Sequence, residues 1–81
     1  MKVWIARDEI LGYTLWKREP YLVKNIGNCR LFMNDDLNGA TCFKMLDKRD
    51  LEIDKFPTLN LNEHRELIIS RDIYNYYFLL A

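Results

Sequence analysis

Met1-Lys2-Val3-Trp4-Ile5-Ala6-Arg7 and Tyr13-Thr14-Leu15-Trp16-Lys17-Arg18 are the two segments whose reading decides the fold. In the first, Met1, Val3 and Ile5 alternate with Lys2, Trp4 and Ala6. That is a period of two with β-branched residues on one side, which predicts a strand. The second is aromatic and apolar, and Pro20, which cannot donate to a β-ladder, ends it. Asp8-Glu9-Ile10-Leu11-Gly12 connects them, with Gly12 free to take a positive φ. Sequential strands joined this closely pair antiparallel.

Working outward, Tyr21-Leu22-Val23 adds a short extended piece, and Asn25-Ile26-Gly27-Asn28 reads as a turn. Cys29–Met33 reads as a strand. The stretch Asn34-Asp35-Asp36-Leu37-Asn38-Gly39 ends in Asn-Gly, which suits the two positive-φ positions of a type I′ hairpin. Ala40–Leu46 is then expected to return as the partner of Cys29–Met33. Asp47 to Lys55 is a charge run, read as a solvated loop or one helical turn anchored by Leu46, Leu51 and Phe56. Glu66–Ile69 reads as a strand. For residues 71–80 two readings stand. Ile69, Ile73, Tyr76, Tyr77 and Leu80 form a helical stripe that Asn62 or Ser70 could cap, while Tyr74, Tyr76, Phe78 and Leu80 alternate as an edge strand would. The expected fold is mainly β, or small α+β: an antiparallel meander sheet in a single domain spanning 1–81, with one helix if residues 71–80 take that form.

Composition narrows the function classes. The chain has 81 residues, with 12 Lys and Arg against 12 Asp and Glu. A domain this small is marginal unless well packed or associated. Neutrality disfavours a general nucleic-acid binder, which would carry excess Lys and Arg. The charge is uneven, however. Residues 1–30 hold six Lys and Arg against three acids, and the remainder six against nine. Trp4, Tyr13, Trp16 and Tyr21 interleave with the basic residues, as a stacking platform for single strands requires. The plainer reading makes Trp4 and Trp16 cross-strand core residues. The N-terminus has charge at Lys2 and Arg7 and no apolar stretch of signal-peptide type. The uncharged tail from Ile73 to Ala81 is far short of the roughly 20 residues that span a bilayer. Cys29 and Cys42 are then expected as reduced thiols in a cytoplasm.

The opening Met1–Asp8, an aromatic second strand running to Glu19-Pro20, Phe43 to Leu46, and Phe56-Pro57 together carry a resemblance. The sequence is similar to small proteins of unknown function from bacteria and their phages that begin with a close variant of this octapeptide. Those have Leu before Phe-Pro, where this chain has Lys55, and the tail from Arg71 is longer here. The resemblance is tight over eight residues and loose over about two-thirds of the chain. It implies a small β-rich fold and a phage or mobile-element setting within a bacterial host, and it implies no activity.

No constellation points to catalysis, a cofactor or a metal. His64, flanked by Glu63 and Glu66, is the single histidine, and no nucleophile signature accompanies Cys29, Cys42 or Ser70. Zinc would need four ligands where Cys29, Cys42 and His64 offer three without paired spacing. Asn34, Asp36, Asn38 and Gly39 match the first half of an EF-hand loop, but Met45 stands where its bidentate Glu belongs. Gly12, Gly27 and Gly39 are isolated, so no phosphate loop exists.

The tail is the most unusual feature. Ile73-Tyr74-Asn75-Tyr76-Tyr77-Phe78-Leu79-Leu80 packs four aromatics and three large aliphatics into eight residues. So small a domain cannot easily bury both sides of it, and aromatics suit interfaces. These features predict a small non-enzymatic protein-binding module. By association with a phage setting, it would inhibit a host defence protein by steric blocking, as anti-CRISPR proteins block CRISPR effectors. Tyr74, Tyr76, Tyr77, Phe78, Trp16 and Arg18 are the expected partner-binding residues. The alternatives are a homodimeric structural protein joined through residues 73–80, or a nucleic-acid module built on the basic aromatic first half.

Overall fold

The structure, a computed structural model, describes residues 1–24, 27, 29–34 and 43–79. It contains β1 (Lys2–Asp8), β2 (Gly12–Trp16), β3 (Tyr21–Lys24), β4 (Arg30–Met33), β5 (Phe43–Leu46), α1 (Lys48–Ile53), β6 (His64–Ile68) and α2 (Arg71–Phe78). The protein is mainly β, with antiparallel sheets and, among the described residues, two helices. No helix among the described residues is long and apolar enough to cross a membrane.

Strands β1 and β2 form the expected hairpin, with Trp4 opposite Trp16 and Ile5 opposite Leu15. Gly12, at φ 71, closes its three-residue loop, and the Asp8 carboxylate accepts the Ile10 and Leu11 N–H groups at 2.8 and 2.6 Å. This is the hairpin loop in which a left-handed residue follows a turn. The sheet then grows on both sides, in the order β5-β2-β1-β6. The β6 ladder extends past its ends: Asn62 donates to the Arg7 carbonyl and Ile69 to that of Met1.

The second pairing differs from expectation. Among the described residues β4 pairs with β3, not with the segment that follows it, and β5 pairs with β2. The β3–β4 hairpin forms a separate two-stranded sheet. Two physical reasons account for this. The connection from β3 to β4 is short and cheap to close. Strand β5 gains more at the β2 edge, where Phe43 stacks on Trp16 with centroids 4.5 Å apart. The Asn38-Gly39 turn lies outside the described residues, as do Cys42 and most of the half-matching calcium loop.

Period-two alternation gives the central sheet two covered faces. Val3, Ile5, Leu15 and Leu46 point to one, which is packed by Leu59, Tyr77 and Phe78 and flanked by Leu51, Phe56 and Ile73. Ala6 and Trp16 point to the other, covered by Phe32 of the β3–β4 hairpin with Leu22 and Phe43 alongside. The result is three layers: helices, central sheet, hairpin.

Both helices begin on caps that the sequence supplies. Asp47 and Asp50 form a reciprocal capping box at α1. The Ser70 hydroxyl accepts from the Ile73 N–H at α2. Of the two readings for residues 71–80, helix is the one realised over Arg71–Phe78, with Ser70 rather than Asn62 as the cap, and Leu80 lies outside the described residues. Helix α1 ends with Lys55 at φ 54 and a bond from the Phe56 N–H to the Leu51 carbonyl. That is a Schellman closure, with the Leu51 and Phe56 side chains both on the core.

Candidate functional site

On α2, Ile73, Tyr74, Tyr77 and Phe78 turn toward the sheet. Asp72, Tyr76 and Leu79, spaced i, i+4, i+7, turn outward. The buried stripe therefore runs beside the expected one: Tyr76 falls out of it and Tyr74 and Phe78 fall in. Tyr76 is 60% exposed and Leu79 63%.

Helix α1 lies next to this outer face. Asp50, Ile53 and Asp54 occupy one side of it by their i, i+3, i+4 spacing, and Ile53 is 67% exposed. The two helices enclose a cleft of about 360 Å³ lined by Asp50, Ile53, Asp54, Asp72, Ile73 and Tyr76. Tyr77 locks the helices together beneath it, its hydroxyl donating to Asp54 Oδ2 at 2.6 Å. Burial, this bond and the nearby Asp50 carboxylate push the Tyr77 phenol far above its ordinary pKa. It stays a neutral donor, so the charge of the cleft is that of its three carboxylates.

The expected partner-binding residues separate into two groups. Trp16 is 2% exposed, with its indole N–H donating to Thr14 Oγ1 at 2.8 Å. Tyr77 and Phe78 are buried and Tyr74 is half-buried, all three on the helix-side core. Tyr76 and Arg18 are exposed. The fold thus brings Tyr74, Tyr77 and Phe78 together as packing and leaves Tyr76 on the surface. Sequence reasoning passed over Asp50, Ile53 and Asp54, because the charge run was read as a solvated loop or one helical turn, and over Asp72, because attention in the tail went to its aromatics. The signal available was the shared helical face of Asp50, Ile53 and Asp54.

The aromatics of the basic first half do not form one platform. Trp4 and Trp16 lie on the hairpin side of the sheet. Tyr13 lies on the helix side, where its hydroxyl accepts the Leu59 N–H at 3.0 Å. Three of the six basic residues are engaged within the fold. Lys2 pairs with Glu66, Arg7 donates to the Leu59 carbonyl, and Lys17 sits over the Phe78 ring.

His64 pairs with Glu19, Nε2 to Oε2 3.1 Å, rather than with its sequence neighbours. Glu63 is held by the Asn60 N–H and by Arg65, which keep its carboxyl below the usual range, and Glu66 is held by Lys2. No group of three or more His, Cys, Asp or Glu among the described residues is placed to hold a metal. Cys29 is a free thiol.

The chain was compared with protein-family models, with curated proteins and with solved structures, and it matches none of them.

Proposed function

We propose that the chain is a small, non-enzymatic protein-binding module that docks through the outer face of α1 and α2 and acts by occluding its partner. The observation that carries this reading is the pairing of exposed large side chains, Ile53, Tyr76 and Leu79, with a cleft between two capped helices. Exposed aromatic and aliphatic anchors beside a concave, polar-rimmed patch are what protein interfaces are built from. The setting expected from the opening octapeptide is phage or mobile-element, with a host defence protein such as a CRISPR effector as the partner class. Of the partner-binding residues, Tyr76 is the contact on this face, while Tyr74, Tyr77 and Phe78 support it from below.

Self-association through residues 73–80 is the weaker reading. A two-fold pairing of this face sets Asp50, Asp54 and Asp72 against their own copies, and like charges across an interface are costly.

Photo-cross-linking tests the reading. A photoreactive phenylalanine replaces Tyr76, Ile53 or, as a control on the far layer, Met33, and the variants are expressed in bacteria challenged with a CRISPR effector. A discrete adduct from positions 76 and 53 and none from 33 is expected. The same adducts from all three positions, or none from any, overturn it.

A further inference from the structure

The geometry points to a specific occupant for the α1–α2 cleft: an arginine side chain presented by the partner protein. The inference rests on the docking reading above and adds the chemistry that the partner must bring.

Charge comes first. Three of the six lining residues are carboxylates and none is a cation. The ion pairs among the described residues, Lys2–Glu66, His64–Glu19 and Arg65–Glu63, all lie elsewhere. The cleft therefore carries charge that the described residues do not pair internally, and apolar walls sharpen its field. The walls are the second feature. Ile53, Ile73 and Tyr76 offer apolar surface for an alkyl stem, and the exposed Tyr76 ring offers a face on which a flat cation stacks.

Hydrogen-bonding capacity is the third. Asp50 Oδ2 already accepts the Asp47 N–H, and Asp54 Oδ2 accepts the Tyr77 hydroxyl. No cation among the described residues pairs with Asp50, Asp54 or Asp72, so the cleft favours a ligand that is itself cationic and rich in donors. A guanidinium supplies five N–H donors in one plane, with a fork matched to carboxylates and a face matched to an aromatic ring. An ammonium supplies a point charge that cannot stack in this way. The cleft volume of about 360 Å³ lies at the small end for ligand pockets, which suits a single side chain.

An amide NMR titration decides the matter. The probes are a blocked Ser-Gly-Arg-Gly-Ser peptide and its lysine and citrulline counterparts, added to the full chain. The arginine peptide is expected to shift the amides of Asp50, Ile53, Asp54, Asp72, Ile73 and Tyr76. The lysine peptide should bind on the order of tenfold more weakly, and the citrulline peptide should not bind measurably. Asp72→Asn should weaken arginine binding several-fold, while Glu52→Gln, on α1 but outside the cleft, should not; unchanged amide dispersion shows that both variants fold. Equal binding of citrulline, equal effects of the two variants, shifts elsewhere or no shifts overturn the inference. So does light scattering that finds a dimer in the same buffer whose interface is this cleft. If the arginine peptide fails while the cross-link from position 76 persists, the docking face stands and its arginine chemistry falls. Loss of both removes the docking reading too.

Discussion

The Asp8 carboxylate accepts the Phe32 N–H at 3.0 Å, joining the end of β1 to the middle of β4. Asp8 is 3% exposed, and its other oxygen accepts the Ile10 and Leu11 N–H groups. One buried carboxylate thus closes the first hairpin and holds the second hairpin against the central sheet. Three N–H donors satisfy it, which is why a charge is tolerated there.

Asp8→Ala strips all three donors of their acceptor, and an unmet bond to a charged group costs more than a neutral one. The expected loss is about 3 kcal/mol in denaturant unfolding, with the Phe32 amide losing exchange protection before the β1 and β2 amides. A loss below about 1 kcal/mol, or uniform loss of protection, contradicts this role.

Thr14→Val keeps the shape of a buried side chain but removes the acceptor of the Trp16 indole N–H. The orphaned donor should cost about 1–3 kcal/mol, read from chemical denaturation. Wild-type stability in this variant would mean that the indole finds another partner.

Lys55 and Gly12 both sit at positive φ, at 54 and 71. Lys55→Gly relieves a left-handed lysine and is expected to raise stability by about 0.5 kcal/mol after the added freedom of the unfolded chain. Gly12→Ala should lower it by about 1 kcal/mol, although no atom lies within 4 Å of the added methyl group. Melting temperatures that move in the opposite directions would show that local strain does not govern these turns.

Tyr77 is expected to contribute to the loss of stability at alkaline pH. Its phenol pKa is raised in the folded protein by burial and by Asp54 and Asp50. Above the ordinary phenol value of about 10 the unfolded chain loses this proton while the folded chain keeps it, so stability present below that pH falls as pH rises. Tyr77→Phe removes the titration and should flatten the decline above about pH 10. At neutral pH it should cost about 1.5 kcal/mol for the lost bond to a carboxylate. An unchanged alkaline slope in the variant would assign the decline to other groups.

The sequence alone determined the first hairpin and the fold class and offered Ser70 beside Asn62 as a cap, because these depend on local pattern. Alternation over Lys2–Ala6 needs only its own residues, as does the turn at Gly12. Ser70 three residues before Ile73 is a complete local cap, and Leu46, Leu51 and Phe56 were legible as the anchors of the charged segment. Tertiary structure decided what local pattern leaves degenerate. The segment Phe43–Leu46 fits a β4 partner or a β2 partner equally well until the Trp16 ring is there to stack on. The tail satisfies helical and strand periodicities alike until the sheet selects Tyr77 and Phe78 for its core. That selection turns Tyr76 outward, and packing α1 beside α2 assembles Asp50, Asp54 and Asp72 from separate stretches of chain. Beyond the shared helical face of Asp50, Ile53 and Asp54, the cleft has no signature in sequence, because its two sides become neighbours only through contacts that the rest of the fold makes.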